Sequence, residues 1–158
     1  ISPLGKVPVM VDTANDLLMY ESCAMVQYLF DRYGNGQLQP QAGTPEHAIY
    51  QQWNWFAEST FARPLGEVVN HSREFPGEKN IPAVVAEMLN RGEQCAIAVG
   101  DAIGDNSFIL GDDFSAADIN LGYTIMLAEH FLPNGLPEHL KSYWERLSAR
   151  PAFIKATS

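Results

Sequence analysis

Strand character is confined to one stretch near the start of the chain. Val7-Pro8-Val9-Met10-Val11-Asp12 and Leu17-Leu18-Met19-Tyr20 are short apolar runs on either side of the polar turn Thr13-Ala14-Asn15-Asp16, which predicts a β-hairpin. From Glu21 the period changes. Met25, Tyr28, Leu29 and Tyr33 recur at helical spacing and Gly34 with Gly36 supplies a stop, so a helix of about three turns follows. A hairpin with one helix buries too little surface to stand alone, and its open strand edge invites pairing with another chain, so something must complete this sheet.

A Gly-, Pro- and Gln-rich segment comes next, Gly34-Asn35-Gly36-Gln37-Leu38-Gln39-Pro40-Gln41-Ala42-Gly43-Thr44-Pro45, with the composition of an interdomain linker. The expected organisation is therefore residues 1–36 as a small α/β unit, 37–45 as linker and 46–158 as an all-helical domain. A first helix of that domain spans 46–70, with Trp53, Phe56, Ala57 and Phe61 on one face and Pro64 as a kink or stop. A polar loop covers 71–80, and Pro82 opens a long helix carrying Val85, Met88, Leu89, Ala96, Val99 and Ile103 up to Gly104. A third helix starts at Ser115, and a fourth runs from 137 to about 150, before Pro151.

At 46% hydrophobic and 18% charged residues the chain is globular rather than disordered. Its 19 acidic against 10 basic residues, the latter scattered, exclude a nucleic-acid surface. No apolar run reaches the roughly 20 residues of a membrane span, and residues 1–6 do not form a signal peptide, so a cytoplasmic protein is expected. Cys23 and Cys95 lie far apart and read as buried, reduced thiols. His47, His71, His130 and His139 show no metal-ligand spacing, so no metal site is expected.

Three local signals carry information. Phe114-Ser115-Ala116-Ala117-Asp118-Ile119 joins a capping box, Ser115 with Asp118, to a hydrophobic staple, Phe114 with Ile119; its role is structural. Gly5-Lys6-Val7-Pro8 leads into a strand; Pro8 reads as an ordinary strand-opening proline, or as a cis proline that turns the Val7 backbone outward for an added extended peptide. Tyr20-Glu21-Ser22-Cys23 is a strand-to-helix junction. It reads either as a plain N-cap or as a receptor in which Ser22 and the helix N-terminus take a carboxylate while Glu21 takes an ammonium.

Taken in order, these residues resemble the cytosolic glutathione transferase family, of bacterial type. Gly5-Lys6-Val7-Pro8-Val9-Met10-Val11-Asp12, Leu17-Leu18-Met19-Tyr20-Glu21-Ser22, Tyr28-Leu29 and Tyr33-Gly34 are similar to the second half of its thioredoxin-like domain. Phe108-Ile109-Leu110-Gly111-Asp112, the Ser115 box and the ending Tyr143-Trp144-Glu145-Arg146-Leu147 with Arg150-Pro151-Ala152-Phe153 are similar to its helical domain. The resemblance implies a thioredoxin-like β-hairpin-plus-helix remnant followed by an all-α bundle, mostly α overall.

It further implies that Val7, ahead of a cis Pro8, pairs with the cysteinyl part of glutathione, that Glu21 and Ser22 hold its γ-glutamyl end, and that Lys6 reaches its glycine carboxylate. Trp53, Phe56 and Tyr123 are candidates for an apolar electrophile pocket, with core or dimer interface as the alternative. Family members place a strand, a helix and a second strand ahead of the Gly-Lys-Val-Pro segment, where this sequence has only residues 1–4, and the thiol-activating Ser, Tyr or Cys falls in that stretch. No catalytic residue is therefore assigned here; Cys23 reads as a small packed residue rather than a substitute nucleophile. The implied function is addition of the glutathione thiolate, a co-substrate rather than a cofactor, to a small apolar electrophile by a homodimer. The alternatives are a non-catalytic binding or assembly module of the same fold, and another glutathione-dependent enzyme such as an isomerase or dehalogenase.

Overall fold

The computed structural model describes residues 2–3 and 5–158; Ile1 and Leu4, at the head of the expected 1–36 unit, lie outside the described residues. Strands β1 (Met10–Asp12) and β2 (Leu17–Met19) form the expected antiparallel hairpin, with Met10 opposite Met19 and Asp12 opposite Leu17. The hairpin turn is closed by Asp12, whose carboxylate accepts from the Ala14 N–H at 2.9 Å, and Asp16 takes a positive φ of 49° to complete it. Helix α1 (Ser22–Tyr33) then runs back along the hairpin. Gly34 is still in helical conformation, and Asn35 and Gly36, at φ 49° and 77°, turn the chain out of the helix.

The rest is helical: α2 (Pro45–Trp55), a π-helical segment (Phe56–Ala62), α3 (Arg63–Glu74), a short 3-10 turn (Gly77–Lys79), α4 (Pro82–Ile103), α5 (Ala116–Phe131), α6 (Glu138–Ser148) and α7 (Pro151–Thr157). Thr44 caps α2, its side chain accepting from the His47 N–H at 3.2 Å. The helix expected over 46–70 continues to Glu74 and passes Pro64 without stopping. A proline removes the N–H that would bond the carbonyl four residues back. Here the preceding turns widen into the π-helical segment, and the Thr60 carbonyl instead accepts from the Cys95 thiol at 3.7 Å. Other carbonyls of this stretch are also met by side chains, Trp55 by the Ser59 hydroxyl (2.6 Å) and Ala57 by Thr124 (3.2 Å).

The loop expected over 71–80 is correspondingly shorter, and His71 is a buried helical residue whose Nε2 accepts from the Ile81 N–H at 2.9 Å. Past Arg150 the chain forms the further helix α7, with Pro151 in its first turn, so one proline marks both the end of α6 and the start of α7. The core gathers Tyr50, Phe61, Leu65, Ala96, Val99, Leu121, Ile125 and Leu140, all fully buried, around α5. The N-terminal half of α4 projects beyond it: Gly92, Ala96, Val99, Gly100 and Ile103 are buried, whereas Val84 is exposed.

The capping box at Ser115 is present and does more than begin a helix. The Asp118 carboxylate takes the Ser115 N–H and hydroxyl on one oxygen (both 2.8 Å), and the Ile109 N–H (2.9 Å) and Tyr143 hydroxyl (2.6 Å) on the other. One buried carboxylate thus joins the 107–111 turn, the start of α5 and α6. Phe114 lies edge-on to Phe108 with ring centroids 5.5 Å apart, under the Arg150 guanidinium at 3.4 Å.

Between α1 and the bundle, Val26 and Phe30 pack against the core and the Tyr50 hydroxyl donates to Gln27 Oε1 at 2.9 Å. Gln27 also reaches Gln39 at 2.8 Å, and the Leu38 carbonyl accepts the Ala116 N–H at 2.8 Å. The 37–44 connection is therefore bonded to both sides rather than slack.

Candidate functional site

The hairpin register places residues 7–9 and 20–22 at the same end of the sheet, away from the turn. The Val7–Pro8 peptide bond is cis. Val7 is 91% exposed, and among the described residues its backbone N–H and C=O take no hydrogen bond. Lys6 is exposed beside it, its N–H donating to Ser2 Oγ at 3.2 Å. These are the backbone groups an extended peptide could pair with.

On the other limb β2 passes into α1 through Tyr20 and Glu21. Glu21 takes φ 69°, ψ 104°, a conformation that costs a residue bearing Cβ about 1–3 kcal/mol. It occupies the N-cap position of α1 yet makes no side-chain cap bond, while its carbonyl accepts from Met25 at 3.0 Å. Ser22 is the first helical residue, and both side chains are exposed. The first amides of α1 thus lack a side-chain acceptor among the described residues, at the positive end of the helix dipole. A strained Glu, an exposed hydroxyl and uncapped amides together suit a zwitterion, with the ammonium on Glu21 and the carboxylate on Ser22 and the helix end.

Cys23 follows in the first turn of α1, where the dipole would favour a thiolate. Burial, and then the charges of Glu58 and Glu21, outweigh a favourable hydrogen bond from Ser22 and push the thiol up to about 11. It is half-buried rather than fully buried, as is Cys95, whose thiol burial also raises.

Of the three aromatic candidates, Trp53 and Phe56 touch each other, whereas Tyr123 lines a separate cavity. Trp53 is buried edge-on to Phe56, ring centroids 5.2 Å apart, on the core side of α2 and the π-helical segment. Tyr123 is 55% exposed and lines a cavity of about 510 Å³ between α5 and α7, with Ile119, Met126, Arg150 and Phe153. Trp55, 66% exposed, is the aromatic that α2 leaves to solvent. A helical period alone does not separate it from Trp53. Among the described residues no group of three or more His, Cys, Asp or Glu side chains could hold a metal ion, and no helix is long and apolar enough to cross a membrane.

A polar cluster also stands at the turn end of the hairpin. Asp12, taken as a strand end, accepts the Tyr28 hydroxyl at 2.5 Å and the Tyr33 hydroxyl at 2.6 Å on one carboxylate oxygen. Those hydrogen bonds hold its carboxyl far below the usual carboxylate range, and the same contact pushes the Tyr28 phenol up to about 12. Tyr28 and Tyr33, which recur with Leu29 at helical spacing, point their hydroxyls at the hairpin turn, and Leu29 is exposed. The available sign was the pair of tyrosines on α1 facing an acidic turn.

A β-hairpin and helix with a cis Val7–Pro8 bond, set on an all-helical bundle, is a mostly α architecture: a thioredoxin-like remnant followed by a helical domain. The family model for the N-terminal domain of glutathione S-transferase matches residues 1–40. Glutathione S-transferase F13 of Arabidopsis thaliana is 28% identical over 165 residues, covering 99% of this chain and 74% of that protein. The theta class glutathione S-transferase from Xanthomonas axonopodis pv. citri is 30% identical, with a TM-score of 0.76 over 94% of this chain and 78% of its own. The glutathione transferase URE2P8 of Phanerochaete chrysosporium, crystallised with oxidized glutathione, shares the fold at a TM-score of 0.83 and 24% identity, over 97% of this chain and 71% of its own. The chain belongs to the glutathione S-transferase family of enzymes.

Proposed function

We propose that the chain holds glutathione at the open end of its hairpin and presents the thiol to an apolar electrophile. In this reading the Val7 backbone pairs with the cysteinyl residue, Glu21 and Ser22 with the α1 N-terminus hold the γ-glutamyl zwitterion, and Lys6 meets the glycine carboxylate. Residues 1–36 then form the peptide-holding unit, 37–45 the linker, and 46–158 the helical domain that offers the electrophile. The observation that carries the reading is the Glu21–Ser22 junction, where a carboxylate is held at φ 69° beside an uncapped helix start. Strain of this kind persists where surrounding structure imposes it, and it is concentrated at ligand sites.

None of these four anchors stabilises a thiolate. A thiol near its unperturbed pKa of about 8.5 is only a few per cent ionised at neutral pH, so turnover needs a further donor. The family resemblance implies that this donor lies upstream of residue 1. Trp55 and Tyr123 supply exposed aromatic surface for an electrophile. A second copy would seat on the groove of about 890 Å³ between the π-helical segment, α3 and α4, where Arg63, Glu67 and Arg91 could pair across a two-fold axis.

Isothermal titration with glutathione tests the reading directly. Binding is expected in the parent chain, and Ser22→Ala should weaken it about tenfold through loss of a hydrogen bond to a charged group. Absence of binding sinks the site. Binding without conjugation in the protein supplied with a thiolate-stabilising donor favours the non-catalytic module, and a substrate panel separates transfer from isomerisation or dehalogenation.

A further inference from the structure

The proposed site is split. Val7 lies on one limb of the hairpin and Glu21 with Ser22 at the junction into α1, and a bound peptide must touch both. Its hydrogen bonds tolerate only small errors of distance and angle, so the angle between hairpin and helix matters as much as the residues themselves.

Little packing sets that angle. The strands are three residues each, and a two-stranded hairpin is marginal by itself. The cross-strand pair Val11 and Leu18 is 58% and 41% exposed, and Met25 is the one buried residue of α1. Met25 lies near the site end of the helix. Met10, Leu17 and Met19 on the other face of the hairpin are only half-buried, so deep apolar contact pins this joint at one end alone.

The second pin is at the far end. Asp12, at the turn end of β1 and away from Val7, accepts both Tyr28 and Tyr33 on one oxygen. Charge-assisted bonds this short are directional, and the two rings lie edge to face at 6.3 Å and 83°, which sets where both hydroxyls point. Asn15 completes the clasp. Its amide donates to Asp12 at 2.7 Å and lies 3.2 Å from both tyrosine hydroxyls, while its carbonyl oxygen accepts from Arg32 at 3.4 Å.

We propose that Asp12 is a positioning residue for the glutathione site, holding the hairpin and α1 at a fixed mutual angle through Tyr28 and Tyr33. It touches no ligand. Its effect reaches Val7 and Ser22 because the limbs of the hairpin and the 22–28 stretch of α1 connect the clasp to the site. The inference rests on the glutathione reading above.

The test is calorimetric titration of glutathione into the parent chain, Asp12→Ala, the double variant Tyr28→Phe/Tyr33→Phe, and Thr44→Ala, all well below their melting temperatures. Thr44 caps α2 and has no part in the site, so its loss lowers stability without touching the clasp. Glutathione Kd is expected to rise about tenfold in Asp12→Ala and in the tyrosine double variant, with the triple combination no weaker than either. Asp12→Asn, which keeps one acceptor oxygen, should fall between, and Thr44→Ala should match the parent. A change below about twofold in Asp12→Ala, or an equal loss in Thr44→Ala, overturns the proposal. If Asp12→Ala does not fold, the tyrosine variant gives the same decision. Should the parent not bind glutathione, the site reading fails, and amide exchange decides the clasp alone. The Met25 N–H, bonded to the Glu21 carbonyl at 3.0 Å, is then expected to exchange about tenfold faster in the clasp variants, and an unchanged rate refutes it.

Discussion

The helical bundle and the hairpin unit are held together by different physics. In the bundle, Tyr50, Phe61, Leu65, Leu121 and Leu140 are fully buried, and its interior carboxylate, Asp118, has four donors. In the hairpin unit Val7, Val11, Leu18, Leu29 and Tyr33 are exposed, and the joint between hairpin and helix is a polar clasp on Asp12. Burial therefore concentrates stability in the bundle, whereas the proposed recognition site lies in the hairpin unit. Loss of an interaction in one should leave the other's property almost untouched.

The largest effects are expected from breaking the bundle. Phe61→Ala removes a fully buried ring from the π-helical segment and should cost about 3–5 kcal/mol, a drop of the order of 10 °C in melting temperature by circular dichroism. Asp118→Ala should cost about 3 kcal/mol, since the Ile109 and Ser115 N–H groups and the Tyr143 hydroxyl lose their acceptor inside the core. In both variants glutathione Kd, measured below the melt, should change less than about twofold. A tenfold loss of binding in either would show that the two regions are not separable.

A smaller effect sharpens the boundary at α1. With its thiol raised to about 11 from an ordinary 9.0, Cys23 should form thiolate about a hundredfold less often than a free cysteine at pH 8. The sign follows from the acid: a raised pKa withholds the anion until higher pH. Alkylation by iodoacetamide should therefore be slow and rise about tenfold per pH unit through pH 8–10, and Glu58→Gln, which removes a like charge, should speed it. Mass spectrometry of the alkylated peptide reads both.

What could be read from the amino acids divides along the same line. Helical periods, prolines and the Ser115 box located most of the bundle because each is a local rule, obeyed within a turn or two of chain. The helix passes Pro64 because the turns just before it widen and Cys95, distant in sequence, donates to the Thr60 carbonyl left without its N–H. In the site, Val7, Glu21 and Ser22 were legible as residues, whereas the φ of Glu21 and the missing cap were not, being set by how β2 meets α1. Asp12 with Tyr28 and Tyr33 was invisible for the same reason. Helical spacing identified the tyrosines as members of α1, and only the fold turns their hydroxyls toward one carboxylate.

Glu21 separates stability from recognition within a single residue. Glycine adopts φ 69° without a Cβ penalty, so Glu21→Gly should relieve strain and raise stability by up to about 1 kcal/mol, less what the unfolded chain gains in freedom. The same change removes the carboxylate assigned to the γ-glutamyl ammonium, so glutathione affinity should fall by about tenfold or more. Glu21→Gln keeps the strain and the side-chain length but not the charge, so it should leave the melting temperature near the parent's and still weaken binding. Opposite signs in melting temperature and affinity for Glu21→Gly would identify this backbone as one kept for its ligand. A variant that loses stability together with affinity would instead make Glu21 a structural residue of the hairpin unit and remove the observation on which the glutathione site rests.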